Sequence, residues 1–65
     1  MTIGKRIREL RTLNHLTQKQ LGELSGLATG TIQQYELHKR QPRIEQLRKI
    51  AKALGLKVSD LIEDE

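Results

Sequence analysis

Residues 17–35 hold two apolar patterns at helical spacing, each too short to stand alone, separated by Ser25-Gly26. Isolated helices below about 12–15 residues are marginal in water. Two such segments on either side of a tight turn must therefore fold against each other or stay unfolded. The first begins at Thr17-Gln18-Lys19-Gln20, a capping box in which the threonine hydroxyl accepts from the amide three residues on and Gln20 reaches back. Leu21 and Leu24 mark its apolar side, and Gly26 can take the positive φ that ends it. Leu27 precedes the second segment, which runs from about Thr29 to Glu36. At about 100° per residue, Ala28, Ile32 and Tyr35 share one face of it, and Thr29, Gly30, Gln33 and Gln34 lie on the other.

The rest of the chain is patterned as helix too, and no alternating strand pattern survives more than a few residues. Ile3, Ile7 and Leu10 fall on one helix face, with Thr2 as its cap, and Leu13 and Leu16 follow around a turn at Asn14-His15. Leu37-His38-Lys39-Arg40-Gln41-Pro42 reads as a basic loop, with Pro42 suited to the entry of the next helix. Ile44, Leu47, Ile50, Ala51 and Leu54 form the clearest amphipathic stripe, and Glu45 and Lys49 are spaced as an ion pair on its wet side. Gly55 ends that helix, and Val58, Leu61 and Ile62 suggest a final short turn or helix. The expectation is an all-α fold in a single domain, residues 1–65, whose thin core depends on regular helices or on a partner.

Composition narrows the function. Cysteine is absent, which removes disulfides and thiolate metal ligands together and fits a reducing, intracellular setting. His15 and His38 are far apart and have no Asp, Glu or Cys at ligand spacing, so no metal or other cofactor is expected. Ser25, Ser59 and the histidines form no recognisable triad, no Gly-rich loop ends in Lys-Ser/Thr, and the chain is too small for a closed cleft. An enzyme and a small-molecule ligand are therefore not expected. No apolar run approaches the roughly 20 residues of a membrane span, and no signal-peptide stretch follows the N-terminus, so the chain is expected to be soluble, cytoplasmic and unassociated with a membrane. All 12 Lys and Arg residues lie at or before Lys57. Only Glu9, Glu23, Glu36 and Glu45 oppose them there, whereas Asp60, Glu63, Asp64 and Glu65 make the end acidic. A basic body of this kind suggests a polyanionic partner, with the acidic end facing away from it.

Two short helices joined by a tight Gly-containing turn have the geometry of a helix-turn-helix, here at about residues 17–36. The chain resembles the DNA-binding domain of lambdoid phage repressors and Cro, the XRE-type helix-turn-helix family. The resemblance rests on Ile7-Arg8-Glu9-Leu10-Arg11, Leu16-Thr17-Gln18 with Leu21, Ser25-Gly26-Leu27, Thr31-Ile32 with Tyr35-Glu36, Pro42, and Leu47 to Gly55. It implies five helices and a regulator, more often a repressor, that binds palindromic operator sites on double-stranded DNA, commonly as a homodimer.

The resemblance also implies roles for particular residues. The third helix would lie in the major groove, with Thr29, Gly30 and Gln34 at base-reading positions and Gln33 beside them. Glutamine can pair two-point with adenine, and threonine can touch a thymine methyl. Gln18, Thr31, Lys39, Arg40 and Arg43 would hold the backbone, Arg43 from the minor groove. Arg11 and Glu36 match a structural ion pair between the first and third helices. Leu56, Val58, Leu61 and Ile62 would supply the dimer contact, unless they only complete the monomer core. The chain departs from the family where His15 and His38 replace glycines in left-handed positions, and where Ala28, Arg43 and Lys57 replace Ser or Thr caps. If Thr29 caps the third helix in place of Ala28, it is less free to read bases. The competing expectation is a protein-interaction module on the same scaffold, of antitoxin or coactivator type, using Leu37 and the apolar C-terminal residues.

Overall fold

Each helix starts and stops where side-chain chemistry near its ends dictates. A computed structural model describes residues 2–62, and these form five helices and no strand: α1 (Ile3–Leu13), α2 (Gln18–Ser25), α3 (Thr29–Glu36), α4 (Ile44–Ala53) and α5 (Val58–Ile62). Thr2 caps α1 by accepting from the Lys5 amide at 3.3 Å. Both halves of the Thr17–Gln20 capping box form, at 3.0 and 2.8 Å. Gly26 closes α2 with φ 75°. His15 and His38 take positive φ, 59° and 64°, at the turns after α1 and α3.

Two missing caps are replaced from inside their helices. Arginine has no acceptor atom, yet Gln46 accepts from the Arg43 amide at 3.1 Å. Asp60 does the same for the Lys57 amide at 3.0 Å. Only α3 has no side-chain bond at its N-terminus: Ala28 occupies the N-cap with extended dihedrals, and Thr29 is the first helical residue. Thr29 therefore does not cap the helix, and its side chain is exposed.

Every helix contributes one fully buried apolar side chain to a single core: Ile7, Leu21, Ile32, Ile50 and Leu61. Tyr35, Leu47, Ala51 and Leu54 complete it, with Leu10, Leu16 and Leu27 packed at its edge. Several apolar residues expected inside are not. Ala28 is exposed because it precedes the helix, where a wheel no longer describes its direction. Ile44 opens α4 and overhangs the core, 52% exposed, and Leu24 and Leu13 sit about 100° around their helices from the buried stripe. The Glu45–Lys49 pair does not form; among the described residues the ion pairs are Arg6–Glu9 and Arg11–Glu36. Both Glu45 and Lys49 are exposed, and holding two long side chains together in water gains little. Glu63, Asp64 and Glu65, expected to turn away from a polyanion, lie outside the described residues.

Two glycines set how closely the helices approach. A Cβ at Gly4 would collide with the Tyr35 carbonyl oxygen, so α1 rests directly on the backbone of α3. A Cβ at Gly22 would lie 2.7 Å from the Leu27 carbonyl oxygen. The close approach at Gly22 is thus to the turn itself and to the start of α3, and not to a facing side chain. Ser25, the last residue of α2, is buried and donates to the Leu21 carbonyl oxygen at 2.7 Å.

Gly4→Ala should destabilise the domain by about 1–3 kcal/mol, because overpacking against backbone has no flexible neighbour to absorb it. His15→Gly should stabilise it by about 0.5–1 kcal/mol, relief of left-handed strain outweighing glycine's larger unfolded-state entropy. Urea midpoints at unchanged slope would check both signs.

Candidate DNA-reading helix and its support

The functional face begins with the residues that α3 cannot bury. Ile32 and Tyr35 point into the core. Thr29, Gly30, Gln33 and Gln34 therefore project outward, spread over roughly 140° of the helix surface, and all four are exposed. No side chain of another described residue is hydrogen-bonded to them. Unpaired amide and hydroxyl groups on a rigid, exposed helix are available to any partner that presents donors and acceptors in register.

The rotation of α3 is fixed at its C-terminal end. Arg11 of α1 donates through Nε to Glu36 Oε2 at 2.7 Å and through Nη2 to Glu36 Oε1 at 3.0 Å. Its Nη1 donates to the Leu16 carbonyl oxygen at 2.7 Å. One guanidinium thus joins α1, the α1–α2 turn and α3. The pair is largely withdrawn from water, with side chains 12% and 5% exposed, and the two-point geometry allows one relative orientation of the helices.

Gln18, assigned to the DNA backbone from sequence, is tied into the same cluster: its Nε2 donates to Glu36 Oε1 at 3.1 Å. An amide nitrogen carries two hydrogens. One is committed to Glu36, and the second remains for an external acceptor beside the α2 N-terminus. This link was not read from the sequence, because it joins residues 18 positions apart.

The structure brings Thr31, Arg40 and Arg43 together. They line a cleft of about 420 Å³ between α3, the α3–α4 loop and the start of α4, together with Leu27, Tyr35, Gln41, Glu45 and Gln46. Lys39 is exposed in the same loop outside this lining. Gln41 and Gln46 were given no site role from sequence, and Glu45 was read only as the partner of Lys49; their position after a basic loop and around Pro42 was the available signal. Thr2 connects the far side of this loop to α1, its hydroxyl 3.3 Å from His38 Nδ1.

Of the residues offered as a dimer contact, Leu61 is corrected: at 1% exposure it belongs to the monomer core and has no surface to offer. Leu56 and Val58 are half-buried against that core, and Ile62 is 52% exposed. α5 is anchored to α1, since Arg6 Nε donates to the Asp60 carbonyl oxygen at 3.1 Å. Among the described residues, no three His, Asp or Glu side chains gather as a metal site, and no helix is long and apolar enough to cross a membrane.

A short capped helix, a left-handed glycine and a second short helix with a polar outer face define a helix-turn-helix domain. A helix-turn-helix family model matches residues 7–61. The chain is 35% identical over its full length to the immunity repressor protein of Bacillus phage phi105, of which it covers 45%. Its fold is similar to the restriction-modification controller protein C.AhdI from Aeromonas hydrophila, with TM-score 0.90, 35% identity, and coverage of 92% of this chain and 91% of that one. It is equally similar to the P22 c2 repressor protein in complex with synthetic operator 9T, with TM-score 0.89, 29% identity, and coverage of 100% and 98%. The chain belongs to the phage-repressor and Cro-like, XRE-type helix-turn-helix family, a family of transcription regulators, and has its five-helix, lambda-repressor-like fold. It spans between about a third and just over half of the length of the curated relatives it matches.

Glu36→Ala should cost about 3–5 kcal/mol, because it leaves the withdrawn Arg11 charge without its carboxylate. The double variant Arg11→Met, Glu36→Leu should recover most of that loss. Thermal melts of the two variants separate the cost of an orphaned charge from the net contribution of the pair.

Proposed function

We propose that this domain is the sequence-reading unit of a transcriptional regulator, in most cases a repressor, that binds operator sites on double-stranded DNA. The observation that carries the reading is the outer face of α3: Thr29, Gly30, Gln33 and Gln34 are exposed side by side, and the side-chain amides and hydroxyl of Gln33, Gln34 and Thr29 have no partner within the described chain. An α-helix fits the major groove, where each base pair presents a distinct set of donors and acceptors. Gln34 and Gln33 would pair with adenine edges, and Thr29 would bond or touch a thymine methyl. The P22 c2 repressor, similar in fold over this whole chain, is described bound to a synthetic operator, which supports the same use here.

Backbone contacts would surround this face. Lys39, Arg40 and Arg43 are exposed, and Thr31 shares the cleft with both arginines. Gln18 would present its second N–H to a phosphate near the positive end of α2. The role is binding, with no catalytic step, and the setting would be the cytoplasm, on the nucleoid. Two copies would occupy half-sites about 34 Å apart, one helical turn, with Leu56, Val58 and Ile62 as the remaining candidates for their contact.

Selection of bound sites from random duplex DNA tests the reading; the expected result is one preferred, two-fold symmetric motif. Gln34→Ala should relax preference at one base position per half-site, with a loss of about 1–3 kcal/mol. Lys39→Ala and Arg40→Ala should each weaken all sequences alike and reduce the slope of log K against log salt by about 1. Equal retention of all duplex sequences by the wild-type domain would sink the reading.

A further inference from the structure

Opposite charges line one cleft of this domain and do not pair. Arg40 stands in the α3–α4 loop, Arg43 at the α4 N-cap and Glu45 on the first turn of α4. All three are exposed, and neither ion pair among the described residues includes any of them. The cleft they share has a volume of about 420 Å³, within the range of about 300–1,000 Å³ that holds small ligands. Two further groups in it lack a partner inside the described chain. Tyr35 is 3% exposed, yet its hydroxyl makes no hydrogen bond there. No wholly buried side-chain oxygen is left without a partner, so this hydroxyl opens to the cleft that Tyr35 lines. Arginine carries no acceptor atom, so Arg43 at the N-cap leaves the amides of the first α4 turn without a side-chain partner.

We propose that this cleft binds a small zwitterion, an amino acid whose carboxylate meets Arg40, Arg43 and the open amides of α4 and whose ammonium meets Glu45. Two guanidinium groups beside an uncapped helix start suit a carboxylate. They would suit a phosphate as well, but Glu45 lines the same space, where it repels an anion and attracts an ammonium. A plain anion leaves Glu45 unmet, and a plain cation leaves the arginines unmet. A molecule of both signs satisfies each wall. The Tyr35 hydroxyl is a neutral donor for the carboxylate, and Leu27 gives the carbon chain an apolar surface. Arg40 and Arg43 are also the cations assigned above to the DNA backbone. An occupied cleft withdraws them from it, so the ligand acts as an inducer. That last step, unlike the site itself, rests on the DNA-binding reading.

Tyr35 is the single tyrosine of a chain without tryptophan or phenylalanine, so its emission reports on the cleft directly. The domain without DNA is titrated with glycine, β-alanine, γ-aminobutyrate and ε-aminocaproate, which space the two charges progressively. Butyrate and butylamine, with one charge each, are the controls, and calorimetry gives the affinities. At least one zwitterion should change the tyrosine emission and bind about tenfold or more tightly than either control, the contribution of one charge-assisted hydrogen bond. Glu45→Gln should reduce that zwitterion to the affinity of butyrate. Tyr35→Phe keeps the ring in the core and removes a hydroxyl that bonds nothing in the chain. It should melt close to wild type and bind the zwitterion about three- to tenfold more weakly. The site is overturned if no zwitterion of the series binds more tightly than the controls, or if Glu45→Gln leaves the preference intact. Saturating zwitterion should weaken duplex DNA binding about tenfold or more, as loss of two backbone cations requires. Unchanged duplex affinity with the zwitterion bound overturns the inducer step. A domain that binds no duplex at all overturns the DNA-binding reading and the inducer step with it, and the titration without DNA still decides the site.

Discussion

The two-point bond between Arg11 and Glu36 is the constraint on which the placement of the outer face depends. The helix it holds is weak on every local count: eight residues, no side-chain cap, one glycine, and β-branched residues at Thr29, Thr31 and Ile32. Such a segment persists only through tertiary contacts. Ile32 and Tyr35 supply burial, but apolar packing is non-directional and tolerates some rotation about the helix axis. The fork between a planar guanidinium and a carboxylate does not. An ion pair this withdrawn from water contributes little net stability compared with an apolar pair of similar size. Its role is therefore geometric: it selects one rotation of α3, and with it the set of side chains that face outward.

The same cluster connects that rotation to a neighbouring surface. Glu36 accepts from both Arg11 and Gln18, so the first residue of α2 and the last residue of α3 share one carboxylate. A polar network of this kind has high stakes, since partial satisfaction in a low-dielectric setting is worse than none. Here it is satisfied: no buried side-chain nitrogen or oxygen lacks a partner among the described residues. The consequence is that the separation of Gln18 from the outer face of α3 is fixed by direct bonds. That separation does not depend on the loops, which are the mobile parts of most small domains.

How much of this was legible in the sequence follows the range of the interaction. Features set within four residues could be read directly: the Thr17–Gln20 box, the left-handed Gly26, the stop at Asn14-His15, and the burial of Ile32 and Tyr35. Errors arose where the wheel was applied beyond its domain. Ala28 precedes α3, where side chains no longer follow the 100° progression, and Ile44 opens α4 at the edge of its buried stripe; both are exposed. Leu61 shows a different limit, since periodicity marks a residue as buried without saying whether its own chain or a second copy covers it. Contacts between distant positions were invisible unless a family resemblance supplied them. Arg11 with Glu36 came from that resemblance; Gly4 against Tyr35, Arg6 against Asp60 and Gln18 against Glu36 had no such source.

The two kinds of outward-facing residue also differ in how they are held, and this difference bears on function. Thr29, Gln33 and Gln34 ride on a helix whose orientation is fixed by a buried core and a withdrawn ion pair. Lys39, Arg40 and Arg43 lie in the loop and at the α4 cap, exposed, and none of them is ion-paired among the described residues. Solvated cations lose little on meeting a phosphate and are screened within about 8–10 Å at physiological salt, so they suit affinity that varies with ionic strength. Neutral amides on a rigid frame gain only when every donor meets its acceptor, so they suit discrimination. Separating these tasks between an exposed basic rim and a fixed polar centre would let each vary without disturbing the other.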